Sequence, residues 1–199
     1  MVREMEVLTS FQGQPGFEKI LFACPEALCL VKEFSGPTLD DCLRRNSLST
    51  AQRLDVLRQT VRILNNMHIR GLLYLDTDPK NICVTLHSNK DVTVTVTGCR
   101  GSVPVGGRLA VVEGNVVGDG AVRSLMAPEV LGGMPLDLSA DAYAVSRMAR
   151  LLGLTHPAVL TEEALQWMRQ SSSPISGQRG TLRHLSTLLP YSPVMRPAH

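Results

Sequence analysis

The chain has 199 residues, 44% of them hydrophobic, which is enough for one domain with a core or for a lopsided pair of domains. Its net charge of +2 gives no electrostatic reason to expect a nucleic acid or an anionic membrane as a partner. The five cysteines include no Cys-x-x-Cys pair, which favours reduced thiols over disulfides or a zinc site. No leader-like N-terminus and no run near the ~18 apolar residues of a membrane span are present. The sequence therefore predicts a soluble, intracellular, cytoplasmic protein.

Helix and strand signals alternate along the chain. Helices are predicted where apolar residues recur at three- and four-residue steps, and strands where short apolar or alternating runs lie between turn residues. The strongest helix signal follows Ser49, because Ser49 and Gln52 also have the spacing of a capping box. The predicted strands are residues 17–24, 27–34, 82–86 and 92–96, and the predicted helices are residues 2–11, 39–43, 54–67 and 139–152, a shorter one after Thr161, and residues 182–189.

A short polar loop lies between two apolar segments in residues 71–84, which read GLLYLDTDPKNICV. Asp76 and Asn81 are five residues apart on this loop, so their side chains can converge on one point. In phosphoryl transfer such an arrangement supplies a base for the attacking hydroxyl and an amide ligand for Mg²⁺. The pattern Asp-x-x-Pro-x-Asn also fits an ordinary turn, because Asp, Pro and Asn are common turn residues. From these residues alone, both interpretations stay open.

This loop resembles the catalytic loop of the eukaryotic protein kinases, His-Arg-Asp-Leu-Lys-Pro-x-Asn. In that match Tyr74 stands for the His and Leu75 for the Arg. Asp76 matches the catalytic Asp, Asp78 replaces the Lys, and Asn81 matches the metal-binding Asn. The resemblance implies catalytic positions at Asp76 and Asn81.

Further motifs follow in the family's order and roughly its spacing. Residues 126–130 (MAPEV) resemble the Ala-Pro-Glu element, and residues 139–143 (SADAY) resemble the start of the buried central helix. The resemblance implies that Asp141 holds the backbone of the catalytic loop and that Glu129 pairs with Arg196, since each charge would be costly to bury alone. Residues 64–71 resemble the end of the helix before the loop, and the hinge that offers backbone hydrogen bonds to adenine is matched by Lys32, Glu33 and Phe34.

The resemblance implies an α+β, protein-kinase-like fold, mostly the helical C-terminal lobe with a remnant of the N-terminal lobe. Residues 1–34 would form that remnant from one helix, which carries Glu4, and two strands. Residues 35–199 would form the C-terminal lobe, with residues 98–129 as activation segment. ATP and Mg²⁺ as cofactors, and a protein as substrate or partner, follow from the resemblance alone.

Four departures from the family pattern argue against phosphotransfer. No Gly-rich strand pair and no Val-Ala-x-Lys strand precedes the first helix, which leaves Glu4 without its lysine partner. The Asp-Phe-Gly magnesium motif is replaced by residues 97–100 (TGCR), which supply no carboxylate, so Asn81 is left as the residual metal ligand. Asp78 puts a negative charge where the family has a Lys, and the His and Arg of the loop are also replaced.

These losses favour a degenerate domain. Losing one electrostatic stabiliser commonly lowers a rate by about 10²–10³-fold, or ~3–4 kcal/mol, and three are absent here. The sequence therefore predicts a kinase-like domain with little or no phosphotransfer, acting as a binding or scaffolding module, in which Asp76 and Asn81 brace the loop. One alternative is an ATP-dependent Ser/Thr-type protein kinase whose N-terminal part is missing from this chain. Another is a folding-compromised fragment, because a two-stranded sheet has open edges.

Three single residues also carry expectations. Cys99, at the position of the magnesium motif, is expected to be a buried small side chain rather than an accessible thiol. His68 is expected to pack or hydrogen-bond from its helix, and Trp167 to be half-buried. The other four histidines (His87, His156, His184 and His199) share no ligand spacing, so no metal site is predicted from them.

Overall fold

The computed structural model describes residues 2–24, 26–27, 29–109 and 125–190 as a mixed helix and strand (α+β) chain. The strands are β1 Ile20–Cys24, β2 Cys29–Lys32, β3 Leu72–Leu73, β4 Ile82–Leu86, β5 Val92–Val96 and β6 Val103–Pro104. The α-helices are α1 Val2–Ser10, α2 Leu39–Arg44, α3 Thr50–Ile69, α4 Pro128–Leu131, α5 Ser139–Leu151, α6 Glu162–Ser171 and α7 Leu182–Leu188. Short 3₁₀ turns span Pro79–Asn81, Cys99–Gly101 and Ser176–Gln178.

The 20-residue helix α3 lies at the centre of the core and packs against β5, α5 and α7. It starts as predicted, because the Ser49 hydroxyl accepts the backbone N–H of Gln52 while the Gln52 side chain accepts that of Ser49. Its buried Gln59 donates to the carbonyl of Val92 at 2.8 Å and accepts from the N–H of Val94 at 3.1 Å, which ties α3 to β5. None of the described helices is long and apolar enough to cross a membrane.

The described strands form separate two-stranded antiparallel sheets: β1–β2, β3–β6 and β4–β5. The β4 and β5 strands have the predicted bounds, and the valines of β5 are buried while Thr93 is exposed. The first hairpin is confirmed but its strands are shorter than predicted. The β3–β6 pair was not predicted, because two residues are too few to show a period.

Helix α5 is buried along most of its length, as its composition predicts. Four of its buried positions are alanines, which let neighbouring elements approach closely. The expectation for Trp167 is wrong: its side chain is fully buried, and its indole N–H donates to the carbonyl of Thr181 at 3.1 Å. An indole whose single polar group is satisfied internally suits a core position.

The predicted boundary at residue 34 stays a prediction. Val7, Leu8 and Phe11 of the first segment belong to the same hydrophobic cluster as α3. Of the predicted activation segment, residues 110–124 lie outside the described residues, and so does Arg196.

Candidate functional site

The loop that follows β3 has a strained backbone held by a buried carboxylate. Leu75 has φ of +64°, a conformation that costs a bulky residue about 1–3 kcal/mol. The fully buried Asp141 accepts the N–H of Tyr74 at 2.9 Å and that of Leu75 at 2.8 Å. The ring of His68 lies 2.8 Å from the same carboxylate, so His68 is a hydrogen-bonding helix residue as expected. Asp141 therefore holds the backbone of this loop through two hydrogen bonds, which is the role that the resemblance implies for it.

Tyr74, at the position of the family's His, joins the loop to the end of β5. Its phenol donates to the carbonyl of Thr97 at 2.6 Å, and it lies 3.3 Å from the carbonyl of Asn81. Complete burial and the neighbouring carboxylate of Asp76 raise the pKa of Tyr74 well above its usual range. The side chain thus stays protonated and has a structural role in this loop.

Asp76 and Asn81 do converge. The carboxyl group of Asp76 is half-buried, and burial raises its pKa, an effect that the hydrogen bond from the Asn81 side chain partly offsets. Asp78 caps the following 3₁₀ turn, with its carboxylate accepting the N–H of Lys80 at 2.9 Å. The loop's short polar side chains therefore bond to one another and to the loop backbone.

Gly98 gives the β5 side of the loop no carboxylate that could bind magnesium beside Asn81. Gly98 has φ of +68°, and a Cβ added to it would lie 3.0 Å from Oδ1 of Asn81. Asn81 offers an amide oxygen, Gly98 offers no side chain, and no group of three or more His, Cys, Asp or Glu side chains converges within the described chain.

Lys32 is the main correction to the sequence analysis. Its ammonium group lies 3.0 Å from the carboxylate of Glu4 in α1 and 2.6 Å from that of Glu18. Glu4 was expected to lack a lysine, and Lys32 was matched to the hinge that offers backbone hydrogen bonds to adenine. Instead the side chain of Lys32 is 26% exposed and supplies Glu4 with a lysine from β2. The guanidinium of Arg100 also contacts Glu4, at 3.3 Å.

Lys32 is a single positive charge between two carboxylates, those of Glu4 and Glu18. Burial raises the pKa of Glu18 because its one bond to Lys32 does not offset the lost hydration, and Glu4 adds repulsion. Burial alone would lower the pKa of Lys32, but hydrogen bonds and charge attraction from Glu18 and Glu4 raise it. Lys32 therefore stays charged, and the cost of burial shows in the raised pKa of Glu18.

Part of the backbone of the predicted hinge already forms hydrogen bonds within the protein. The N–H of Glu33 donates to the carbonyl of Lys19 at 2.9 Å, which continues the β1–β2 ladder. Phe34 is 87% exposed, so its side chain packs against no part of the described core. Adenine binding by Lys32, Glu33 and Phe34 stays a prediction.

Glu129 pairs with a different arginine from the one expected. Its carboxylate receives both terminal nitrogens of Arg179, one at 2.9 Å, and the Arg179 side chain is completely buried. The guanidinium also donates to the carbonyls of Ser139, Ser173 and Pro174. The expected partner, Arg196, lies outside the described residues, so Arg179 is the observed partner.

Cys99 is buried, as expected. Desolvation and the nearby carboxylates raise the pKa of its thiol to about 12. A thiol of that kind is a poor nucleophile near neutral pH.

Glu18 and Arg179 are the site residues that sequence reasoning missed. Glu18 reaches the site because residues 16–18 run beside β5, where the N–H of Val96 donates to the carbonyl of Gly16 at 2.8 Å. The one local signal is Gly16 itself, whose φ of +96° and close contact with Ile63 require a glycine. Arg179 follows a loop of ordinary polar residues and carries no local signal.

Comparison with known proteins indicates a kinase-like relationship. No family model matches the chain. A probable myosin light chain kinase from Dictyostelium discoideum is 24% identical over 156 residues, which cover 76% of this chain and 48% of the relative. The chain thus spans about half the length of the curated relative that it matches.

Proposed function

We propose that this chain is a protein-kinase-like domain with little or no phosphotransfer, acting as a binding or scaffolding module. The observation that carries the proposal is the close approach of Asn81 to Gly98, where an added Cβ would lie 3.0 Å from Oδ1 of Asn81. The resemblance puts a magnesium carboxylate at position 97 or 98, and these positions hold Thr97 and Gly98, so neither supplies a carboxylate.

The electrostatics of the loop support the same proposal. Asp78 places a carboxylate beside Asp76, at the position where a transferring phosphoryl group would need a cation. Burial raises the pKa of Asp76, and its hydrogen bond with Asn81 engages the side chain that would orient a substrate hydroxyl. These contacts suit a loop that is braced for stability.

The binding role is supported by the first hairpin. Leu21, Phe22 and Val31 are exposed on it, and Phe34 follows directly. Contiguous exposed apolar side chains, as opposed to single ones, mark surfaces that protein partners cover, and Phe22 and Val31 are cross-strand neighbours. If this surface and the open strand edges are used, size-exclusion chromatography should show self-association or capture of an added partner, whereas a chain that stays monomeric and binds nothing would contradict the role.

A second candidate function is ATP-dependent Ser/Thr-type phosphotransfer by a longer protein. The observation that favours it is the pair of Lys32 with Glu4, since the resemblance associates a lysine–glutamate pair at this helix with an active kinase. In this chain the lysine would come from β2.

A transfer assay on this chain tests the first candidate. Purified protein is incubated with magnesium, ATP and generic protein substrates, beside Asp76→Ala and a control, Glu163→Ala, which removes an exposed carboxylate of α6. We expect no transfer that depends on Asp76. Robust phosphorylation that Asp76→Ala abolishes and Glu163→Ala leaves intact would overturn the proposal and establish the second candidate.

A further inference from the structure

Two free cysteines lie directly opposite each other on the first hairpin. Cys24 ends β1 and Cys29 begins β2, and the register of this antiparallel pair makes them cross-strand partners. Directly opposite residues have their Cα atoms about 4.5–5.5 Å apart, which is within the range of about 4.4–6.8 Å that a disulfide spans. Their side chains also project from the same face of the sheet. The backbone therefore holds the two thiols at a distance that a disulfide can bridge.

The face that carries this pair is turned to solvent. Phe22 and Val31 are two residues along each strand from the cysteines, so they share that face, and they are 58% and 43% exposed. Leu30 alternates to the other face and packs against the core. Cys29 is exposed and Cys24 is partly buried. A small oxidant in solution can therefore reach the pair, and Cys29 is the more accessible of the two.

The remaining three cysteines of the chain are buried: Cys42, Cys83 and Cys99. Burial raises the pKa of the thiols of Cys83 and Cys99. Because the thiolate is the form that reacts, a buried cysteine in apolar surroundings is inert. Oxidation of the folded protein should therefore begin on the hairpin.

We propose that Cys24 and Cys29 form a reversible disulfide when the protein meets a hydroperoxide. With hydrogen peroxide, the Cys29 thiolate forms an S–O bond as the O–O bond breaks, and the departing hydroxide takes up the proton that the thiol released, which leaves a sulfenic acid and one water. The sulfur of Cys24 then attacks that sulfur, so that the S–S bond forms, the S–O bond breaks and a second water leaves with the proton of Cys24. In total, two thiols lose two electrons and two hydrogens, and one peroxide is reduced to two waters.

The neighbourhood of Cys24 suits the second step. Its thiol donates to the carboxylate of Glu26 at 3.5 Å, which gives the proton an acceptor as the sulfur attacks. Since this bond also favours the protonated thiol, Cys24 is the resolving cysteine and the exposed Cys29 is the one that meets the peroxide.

The same geometry makes the disulfide easy to reduce. The Cβ atoms of directly opposite residues are about 4.5–5.5 Å apart, whereas a relaxed disulfide has them about 3.8 Å apart, so closing the bond draws the strands together. Strained or exposed disulfides are the more readily reduced ones. In a reducing compartment the pair would rest as two thiols and close only under oxidation. This inference goes beyond the proposed function and does not depend on it.

The test is oxidation of the reduced full chain with hydrogen peroxide, followed by mass spectrometry. The intact mass should decrease by two hydrogen atoms. Under denaturing, non-reducing conditions, cleavage after glutamates separates residues 19–26 from residues 27–33, and each of these peptides has one cysteine. The two peptides should stay joined after oxidation and separate when dithiothreitol is added. Glutathione should also reopen the bond in the folded protein.

The matched control is the double variant Cys29→Ser/Val31→Cys, which keeps two cysteines on the exposed face but makes them diagonal neighbours. Diagonal positions are about 7–8 Å apart, at or beyond the limit for a disulfide. This variant should form the bond at least about tenfold more slowly than the wild type. Circular dichroism checks its fold, and if it does not fold, the peptide map of the wild type decides the question.

Three results would overturn the inference. They are oxidation of Cys29 without a bond to Cys24, a disulfide that joins two chains instead, and equal rates in the wild type and the folded diagonal variant. A bond that glutathione leaves closed would contradict its reversibility. A kinase assay has no bearing on any of these results, so this inference and the proposed function can fail separately.

Discussion

Replacing Arg179 by alanine should destabilise the protein more than any exposed ion pair would. The guanidinium is completely buried and holds Glu129 with two nitrogens, while its other donors satisfy three backbone carbonyls. Removing one partner of a buried pair costs about 3–5 kcal/mol, because the other charge stays buried and uncompensated. For a chain of this length we expect the melting temperature to fall by roughly 6–20 °C.

The assay is thermal and urea unfolding followed by circular dichroism. Arg169→Ala is the matched control, since its pair with Glu162 is exposed and should contribute at most about 1 kcal/mol. A double-mutant cycle with Glu129→Gln isolates the coupling between the two side chains. A loss below about 1 kcal/mol for Arg179→Ala, equal to that of the control, would refute the reasoning.

Three further predictions concern the site. Asp141→Asn replaces one accepting oxygen of a fully buried carboxylate by a donor. The free energy of unfolding, measured with urea, should therefore fall by roughly 2 kcal/mol. The backbone amides of Tyr74 and Leu75 should also exchange faster with solvent hydrogen, and exchange equal to that of the wild type would contradict this. The raised pKa of Glu18 means that the folded state binds the proton more tightly, so its contribution to stability should decrease as pH rises from the usual value of 4.5 through the raised one. Unfolding curves of wild type and Glu18→Gln should therefore converge at low pH; parallel curves would contradict the shift. Cys99 should react with a thiol reagent at pH 8 far more slowly than the exposed Cys29, and equal rates would show that Cys99 is accessible.

The elements that the sequence predicts best are those whose signals are local. The capping box at Ser49, the period of α3 and the alternation of β5 all lie within one element, and the structure has each of them. Asp141 was also placed correctly beside the loop, although it is 66 residues from Leu75, because a motif of the resemblance carried that contact.

The contacts that the sequence did not predict join residues with no shared motif. Lys32 meets Glu18 and Glu4 across 14 and 28 residues, and Arg179 meets Glu129 across 50. Any of the 20 basic residues could have been the partner on composition alone. Which basic residue pairs with a given carboxylate depends on burial and on the path of the chain, and only the folded structure shows these.

The backbone and the packing at Gly98 limit which side chain this position can hold. An aspartate there would need the left-handed backbone region, and its Cβ would lie 3.0 Å from Oδ1 of Asn81. That distance is tighter than nearly all contacts that a Cβ makes, so the side chain of Asn81 would have to shift by a few tenths of an ångström. A carboxylate at position 98 would therefore come at the expense of the way in which Asn81 is seated in the loop.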